Sequence, residues 1–180
     1  MVLAAGGGAR FAGATHKLLA SFRGRPLVLW SVDAARAAGL DETVVITGAV
    51  DLAGQLPDDV TVIENHAWAE GQATSLRAAV DWAEHRGHRA VIVGLGDQPL
   101  IPAAAWTAVA ADPHPIAVAS FEGRRRPPVK LDRQVWPLLP VGGDVGAREL
   151  IASRPDLVGE VACPGTPADV DTVEDLVRWS

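Results

Sequence analysis

The feature that most constrains the fold is a regular alternation of short β-branched runs with longer stretches of helical periodicity. Six runs are typical of strands: "VLAA", "TVVIT", "VTVIE", "AVIVGL", "PIAVAS" and "LVGEVAC". Four stretches between them space their apolar residues as helices do: "PLVLWSVDAARAAG", "QATSLRAAVDWAEHRG", "PAAAWTAVAAD" and "DVGARELIAS". This order predicts an α/β fold, a three-layer Rossmann-like architecture whose mostly parallel central sheet is covered by helices on both faces.

Length and composition limit the organisation of the chain. With 180 residues, 48% of them hydrophobic, we expect one domain over residues 1–180 with a full core, and we expect Trp30, Trp82 and Trp106 to lie in it. No apolar run reaches the roughly 18 residues that span a bilayer, and the start does not resemble a signal peptide. The sequence therefore predicts no membrane partner and a cytoplasmic location. The single cysteine, Cys163, cannot form an internal disulfide.

The charge balance bears on the binding partners. The formal net charge is −6, which argues against nonspecific nucleic-acid binding, because a phosphate-backbone binder needs an excess of cations. Any anionic ligand must therefore be bound by a few cationic side chains that are gathered at one place. Arginine occurs fourteen times but lysine only at Lys17 and Lys130, so these two compact point charges are candidates for a specific role.

The first strand leads into a glycine-rich loop, "GGGARFAGATHK". It is not a dinucleotide fingerprint, because Phe11 stands where G-x-G-x-x-G needs its last glycine, and it lacks the G-K-[ST] of a P-loop. Backbone amides at a glycine bend can cradle a phosphate, while Arg10 and Lys17 neutralise the rest of a polyphosphate. The alternative is a flexible loop with solvated charges. As a catalytic residue on a loop, Lys17 is expected to make few packing contacts, so its replacement should lower turnover more than stability.

Acidic residues follow two later segments of the chain. Asp97 comes directly after "AVIVGL", so it points to the crevice beyond the carboxyl ends of the strands, where open α/β sheets bind ligands. Its carboxylate suits Mg²⁺, and the alternative is an Asp-initiated turn before Pro99. Asp169 and Asp171 precede the last helix, where Asp171 is also a natural N-cap and Thr172 with Asp175 approximates a capping box.

Taken together, five ordered motifs resemble the MobA-like nucleotidyltransferases. "LAAGGGARFAGATHK" is similar to their signature LAAG-x-S/G-x-R-M-G-x-x-K, with Phe11 in place of methionine. The motifs "GDQP", "EGQATSL", "GDVGAR" and "DVDTVEDL" follow the order of the molybdenum cofactor cytidylyltransferase branch. The resemblance extends from Val2 to about Leu176 and implies the nucleotidyltransferase variant of the Rossmann-like fold.

The resemblance implies a role for each matching residue. Arg10 would bind the leaving pyrophosphate, Lys17 the α-phosphate, and Asp97 with Asp171 would hold Mg²⁺. The nucleotide would contact the loop after the first strand and a second glycine motif; these residues are Ala4, Ala5, Gly6, Gly7, Gly8, Gly71 and Ser75. Such an enzyme relies on positioning and charge neutralisation and needs no side-chain nucleophile.

The nucleotide and the reaction class leave alternatives. "AAG" at Ala4–Gly6 is typical of the cytidylyl branch and favours CTP, whereas "AGG" is typical of guanylyltransferases. Another acceptor is possible within the same chemistry, and a few similar proteins are oxidoreductases, nicotine blue oxidoreductase among them. The missing dinucleotide fingerprint and the presence of Arg10, Lys17 and Asp97 together favour a transferase. A nonenzymatic nucleotide-binding module would bind without releasing pyrophosphate.

The acceptor side rests on one irregular charged stretch, "EGRRRPPVK". We expect its prolines to hold it extended, so that Arg124, Arg126 and Lys130 share one side and Arg125 faces the other. We expect Arg126 and Lys130, together with Asp144 and Arg148 of "GGDVGAR", to meet a phosphorylated acceptor such as molybdopterin. The cytidylyltransferase branch usually has Gly-His-Pro where this chain has Arg-Pro-Pro, which leaves the acceptor open. The alternative is that this charged stretch is only a solvated surface loop.

Overall fold

The computed structural model describes residues 1–180, apart from the side chain of Ala53. In chain order the elements are β1 (Val2–Ala4), β2 (Ser21–Phe22), β3 (Arg25–Pro26), α1 (Leu27–Ala37), β4 (Val44–Thr47), β5 (Thr61–Glu64), α2 (Gln72–His85), β6 (Ala90–Leu95), α3 (Ala103–Ala111), β7 (Ile116–Phe121), β8 (Arg124–Asp132), α4 (Arg148–Ser153), β9 (Val158–Ala162) and α5 (Val173–Trp179). None of the described helices is long and apolar enough to cross a membrane.

The described strands form a seven-stranded sheet in the order β5-β4-β1-β6-β8-β7-β9, beside a small β2-β3 hairpin. The pairs β5-β4, β4-β1, β1-β6 and β7-β9 are parallel, whereas β8 runs antiparallel to both of its neighbours. This confirms the predicted mostly parallel α/β sheet. All six strands read from the β-branched runs are present, each within a residue or two of its predicted bounds.

Helices cover both faces of the sheet, because its central strands are apolar on both sides. On one face, Val2 and Val45 pack against Val28 and Val32 of α1 and against Trp106 of α3. The opposite face has its own apolar cluster, formed by the side chains of Leu3, Ile46, Val91, Val93, Leu76, Val80, Trp136 and Leu150 from the sheet, α2, the 133–138 turn and α4. Each face therefore has its own apolar layer, which gives the three-layer arrangement.

The strand β8 was not predicted, because a run of arginines followed by two adjacent prolines is a composition typical of surface loops. The Pro127–Pro128 peptide bond is cis, and the pairing with β7 shifts register between Val118 and Ala119, opposite those prolines. A proline cannot donate to a ladder, so it fits a strand interior at such an irregularity. Pro127 and Pro128 are the two residues of β8 between Arg126 and Val129, which pair with the adjacent residues Ala119 and Val118.

The strand pairing agrees with the expectation that Arg124, Arg126 and Lys130 share one side, because they lie opposite Phe121, Ala119 and Ala117, whereas Arg125 lies opposite Ser120. Those three residues of β7 belong to the apolar cluster that α1 and α3 cover. Lys130 is buried there, and its ammonium donates to the backbone carbonyl of Asp112 at the end of α3. Arg125 and Arg126 both line a recess together with Val129 and Leu131. The structure therefore does not bring Lys130 to the acceptor side of the crevice.

Of the three tryptophans expected in the core, Trp106 is buried with 2% of its surface exposed, and Trp30 and Trp82 are partly buried. Gly94 of β6 makes room for the Trp106 ring. A Cβ at position 94 would lie 2.4 Å from that indole.

We predict that Gly94→Ala lowers the free energy of unfolding by about 1–3 kcal/mol, because the added methyl overpacks the face between β6 and α3. For a chain of this size each kcal/mol corresponds to a fall in Tm of roughly 2–4 °C. Calorimetry measures the Tm of the wild-type protein and of each variant. Gly142→Ala is the matched control, since a Cβ there meets no atom within 4 Å. Equal Tm values for the two variants would contradict this packing.

Candidate active site

The carboxyl ends of β1, β5 and β6 open into one cleft of about 440 Å³. Its lining comes from the segments that the sequence placed after those strands; the residues are Ala4, Ala5, Gly6, Gly7, Gly8, Arg10, Lys17, Trp68, Gly71, Gln72, Asp97 and Asp144. The five consecutive nucleotide-loop residues, Gly71 and the catalytic candidates are thus brought together as expected. We call this recess the nucleotide cleft.

Lys17 is the electrostatic centre of the cleft. Its Nζ lies 2.6 Å from Asp97 Oδ2 and 3.0 Å from Asp171 Oδ1, and only 11% of its side chain is exposed. Burial lowers the pKa of Lys17, but the charge of Asp97 and the hydrogen bonds to Asp97 and Asp171 outweigh that effect and raise it above its usual value. Lys17 is therefore a buried ion-pair partner and not the loosely packed loop lysine that the sequence suggested.

One backbone and one side-chain hydrogen bond tie the segment before the last helix to the end of β6. The amide of Val170 donates to the Asp97 carbonyl at 3.0 Å, and Gln98 Nε2 donates to Asp169 Oδ1 at 2.8 Å. The last helix begins at Val173, with Thr172 as its N-cap and a complete capping box between Thr172 and Asp175. Asp171 is therefore not the cap, and its carboxylate is available to Lys17 and to Arg10, whose Nη2 lies 2.8 Å from Asp171 Oδ2.

The glycine loop is held by His16. Its Nδ1 accepts from the Leu18 amide at 3.3 Å, and its Nε2 lies 3.1 Å from the Gly6 carbonyl, so a neutral ring with the proton on Nε2 satisfies both. Burial lowers the pKa of His16, which favours that neutral form. Gly8 adopts a left-handed φ of 62°, which lets the loop turn back over Lys17. The sequence analysis did not single out His16.

Trp68 is a second residue that the sequence analysis missed. Its side chain is 37% exposed and lines the nucleotide cleft, and its ring lies against Gly7, where a Cβ would come within 3.1 Å. The signal was present, since "NHAWAEG" follows β5 and an aromatic group at a strand end faces the crevice. In contrast, Ser75 does not reach the cleft, because its buried hydroxyl accepts a hydrogen bond from Asn65 Nδ2 at 3.0 Å.

A second recess of about 650 Å³ adjoins the nucleotide cleft, with which it shares Leu3, Gln72 and Leu95. Its base is the apolar face of the sheet, and its opposite wall includes Ile151 of α4. Four polar or charged candidates lie around it: Arg125, Arg126, Arg148 and Asp169. We call this recess the acceptor slot. Arg126 and Arg148 therefore face the slot, whereas Asp144 faces the nucleotide cleft.

The residues around Asp97 meet the requirements of a magnesium ion. Asp97 Oδ1 is buried, and the described residues offer it no hydrogen-bond partner. Such an orphaned carboxylate oxygen suits a hard cation. The described part of the chain contains no group of three His, Cys, Asp or Glu side chains that could hold a metal ion alone. Magnesium commonly binds through one or two carboxylates with waters and phosphate oxygens, and the pair Asp97 and Asp171 fits that pattern.

Solved structures share this fold over nearly the whole chain. The crystal structure of Rv0371c from Mycobacterium tuberculosis H37Rv superposes with a TM-score of 0.84 and is 29% identical, covering 98% of this chain and 94% of that one. A structure of Rv0371c in complex with manganese has a TM-score of 0.75 at 29% identity and covers 99% and 95%. A nucleotidyl transferase from Methanothermobacter, 22% identical with a TM-score of 0.81 over 98% of this chain and 93% of that one, shares the fold.

Curated relatives match a shorter region. The bifunctional protein GlmU of Cutibacterium acnes is 32% identical over 107 residues, which is 56% of this chain and 25% of that protein. This chain thus spans about a quarter of the length of that relative.

The fold and the cleft at its strand ends are those expected for the predicted nucleotidyltransferase class. A model of the MobA-like NTP transferase domain matches residues 1–158, and the chain belongs to that family.

We predict that Lys17→Met, which keeps the stem but removes the charge, abolishes turnover and lowers the free energy of unfolding by about 1–3 kcal/mol, because Asp97 is left buried without its partner. The double variant Lys17→Met/Asp97→Asn regains part of that stability but no activity. Denaturant unfolding at pH 7–8 measures the free energy of unfolding of each variant. The pKa of Lys17 is raised, so its contribution is complete below the unfolded value of about 10.4 and is lost only as pH rises through the folded one. If the changes in unfolding free energy of the two single variants add up to that of the double variant, Lys17 and Asp97 are not coupled and the prediction is contradicted.

We also predict that Gly71→Ala weakens nucleotide binding. Gly71 has φ 114° and ψ 170°, a region that essentially only glycine occupies, and a Cβ would lie 2.5 Å from the Gly143 backbone. The 141–146 loop that carries Asp144 is tied there, since the Ala73 amide donates to the Gly143 carbonyl at 2.9 Å. Calorimetric titration with CTP checks this. Gly142→Ala, in the same loop without a clash, retains wild-type affinity; equal affinities for both variants would refute the prediction.

Proposed function

We propose that this protein transfers a CMP group from CTP to a phosphate-bearing acceptor, molybdopterin in the molybdenum cofactor cytidylyltransferase branch, and releases pyrophosphate. The observation that carries the proposal is the adjacency of two recesses at the carboxyl edge of the sheet. One is lined by the glycine loop with Lys17 and Asp97, and the other by arginines. The sequence Ala4-Ala5-Gly6 supports CTP as the nucleotide.

In this reaction an oxygen of the acceptor phosphate attacks the α-phosphorus of CTP. A new P–O bond forms as the bond from the α-phosphorus to the oxygen bridging to the β-phosphate breaks, and the electron pair leaves with pyrophosphate. Lys17 lies in the cleft, where it can neutralise charge on the α-phosphate. The side chain of Arg10 is 75% exposed, so it can stay bound to the pyrophosphate as that product leaves. Each of them exchanges a carboxylate partner for phosphate oxygens.

Asp97 and Asp171 would hold Mg²⁺. When bound, the ion neutralises the triphosphate and orients it for in-line attack. The manganese complex of Rv0371c supports a divalent ion at a fold of this type. Because Lys17 and Arg10 occupy three of the four carboxylate oxygens of this pair, they must move as metal and nucleotide enter together. Both cations then have the phosphates as new partners.

On the acceptor side, Arg126 and Arg148 line the slot, and the described contacts give neither of them an ion pair within 4 Å. Arg125, in contrast, is paired with Glu160 at 2.8 Å. Guanidinium groups bind phosphate through two parallel hydrogen bonds. Arg126 and Arg148 are therefore the groups that we assign to the acceptor phosphate.

The test is a panel of CTP, GTP, ATP and UTP with phosphorylated acceptors and Mg²⁺, scored for pyrophosphate. We expect release with CTP and a pterin-type acceptor, loss of it with Asp97→Asn, and a KM for the acceptor raised about tenfold or more by Arg126→Ala at unchanged CTP affinity. Arg133→Ala, an exposed arginine paired with Glu84, is the matched control. CTP binding without pyrophosphate release for any acceptor would indicate a binding module, and metal-dependent turnover unchanged in Asp97→Asn would overturn the metal assignment.

A further inference from the structure

Trp68 differs from the other tryptophans of the chain in where its side chain lies. The sequence has six tryptophans, and five of them pack into the apolar clusters on the two sheet faces or around Phe22 of the hairpin: Trp30, Trp82, Trp106, Trp136 and Trp179. Among the described residues, Trp68 belongs to none of these clusters, and it lines the nucleotide cleft with 37% of its surface exposed. Its indole is therefore available to a ligand of the cleft.

Two glycines make room for this side chain. A Cβ at Gly48 would lie 2.7 Å from Trp68 Cβ, and a Cβ at Gly7 would lie 3.1 Å from Cζ3 of the indole. Side chains at these two positions would therefore displace the tryptophan. At Gly7 only two indole carbons, Cζ3 and Cη2, come within 3.9 Å of the added atom, so this contact covers one corner of the ring. The segments after β1 and β4 thus seat the indole without covering most of it.

Hydrogen bonds hold the turn that carries Trp68 from both sides. Asn65, directly after β5, is 7% exposed; its Oδ1 accepts from the Ala67 amide at 3.0 Å, and its Nδ2 donates to Thr74 Oγ1 at 2.8 Å. The Trp68 amide donates to the Asn65 carbonyl and the Gly71 amide donates to the Trp68 carbonyl, both at 3.3 Å. Trp68 is therefore fixed between the end of β5 and the start of α2. A ligand that uses this ring loses little affinity to ordering the turn.

The glycine loop brings this aromatic ring beside the charged centre of the cleft. Gly7 lies against the Trp68 indole, whereas the next residue, Gly8, lies against Lys17, whose Cγ would be 3.2 Å from a Cβ at that position. Consecutive Cα atoms are about 3.8 Å apart, so the loop presents an aromatic surface and a cation at adjacent positions. A nucleoside triphosphate has groups in a matching order: a flat aromatic base, a sugar and then the phosphates.

We propose that Trp68 is the stacking platform of the nucleotide cleft, with the nucleobase against its indole ring and the triphosphate at Lys17. The inference rests on the proposed function in one respect, namely that the ligand of the cleft is a nucleoside triphosphate. Stacking uses the π face that every base has, so it adds affinity without choosing strongly among bases. Trp68 therefore determines how tightly the nucleotide binds, whereas the choice between CTP and UTP depends on groups that contact the edge of the base.

The test compares ligands with and without a base, by calorimetric titration of CTP, UTP and inorganic triphosphate in the presence of Mg²⁺. Trp68→Leu keeps an apolar side chain but removes the aromatic face. We expect it to weaken the binding of CTP and of UTP about tenfold or more, by factors that agree within about twofold. Affinity for inorganic triphosphate, which has no base, should be unchanged. Equal losses for CTP and inorganic triphosphate would overturn the proposal, because they would show that Trp68 only supports the glycine loop.

Fluorescence gives a second readout that a purely structural role would not change. CTP should quench part of the tryptophan emission of the wild-type protein, because a stacked base quenches an indole. Trp68→Phe keeps an aromatic face, so it should still bind CTP but lose this quenching. Trp82→Phe and Trp82→Leu are the matched controls, since Trp82 donates to Glu42 at 3.3 Å and does not line the cleft. Quenching by CTP that persists in Trp68→Phe would reject the platform.

The Trp68 variants should fold, because Trp68 lies outside the apolar clusters of the described residues. Tm values measured on the same samples check this.

The outcomes separate this inference from the proposed function. Base-dependent binding of CTP that is lost in Trp68→Leu, together with no pyrophosphate release for any acceptor, would reject the transfer reaction and keep the platform. Turnover of CTP by a folded Trp68→Leu protein with an unchanged KM for CTP would keep the transferase and reject the platform.

Discussion

The ion pairs of Lys17 with Asp97 and Asp171 hold the site together. They join three segments that are far apart in sequence: the loop after β1, the end of β6 and the strand-like segment before α5. A charge this well buried needs its partners, because a lone ammonium or carboxylate in such surroundings is costly. The same three groups are the ones that a metal-bound triphosphate requires. The contact that positions the site is thus also the contact that substrate binding must rearrange.

This arrangement gives a physical reason for the charge balance of the chain. An acidic protein binds a polyanion only if its cations are concentrated at one place, and here two cations share the two carboxylates of Asp97 and Asp171. In the absence of nucleotide, the carboxylates neutralise Lys17 and Arg10. In the proposed reaction, the carboxylates would hold the metal and the cations would neutralise the phosphates. Every charge would then keep a partner in both states.

The sequence predicted what depends on local pattern. Strand and helix periodicity predicted the parallel sheet, and the rule that ligands bind beyond strand ends predicted that the Gly6–Gly8 loop, Lys17 and Asp97 lie in one crevice. Features that depend on register or on distant contacts were missed. Proline and arginine concealed β8, and the burial of Lys130 depends on its contact with the Asp112 carbonyl, which no local pattern shows. Ser75 satisfies the motif, but the nearby Asn65 uses its hydroxyl.

The strand β8 connects the fold to the choice of acceptor. Because it is inserted antiparallel between β6 and β7, it widens the sheet on the side away from the nucleotide loop and contributes Val129 and Leu131 to the base of the slot. Arg125 and Arg126 of the same strand also line this recess, so it combines an apolar base with cations. Gln98, one residue beyond Asp97, lines this recess, whereas Asp97 lines the nucleotide cleft. In the proposed reaction, adjacent residues at one strand end would thus serve the two substrates separately, so that the acceptor site could vary while the nucleotide site stayed the same.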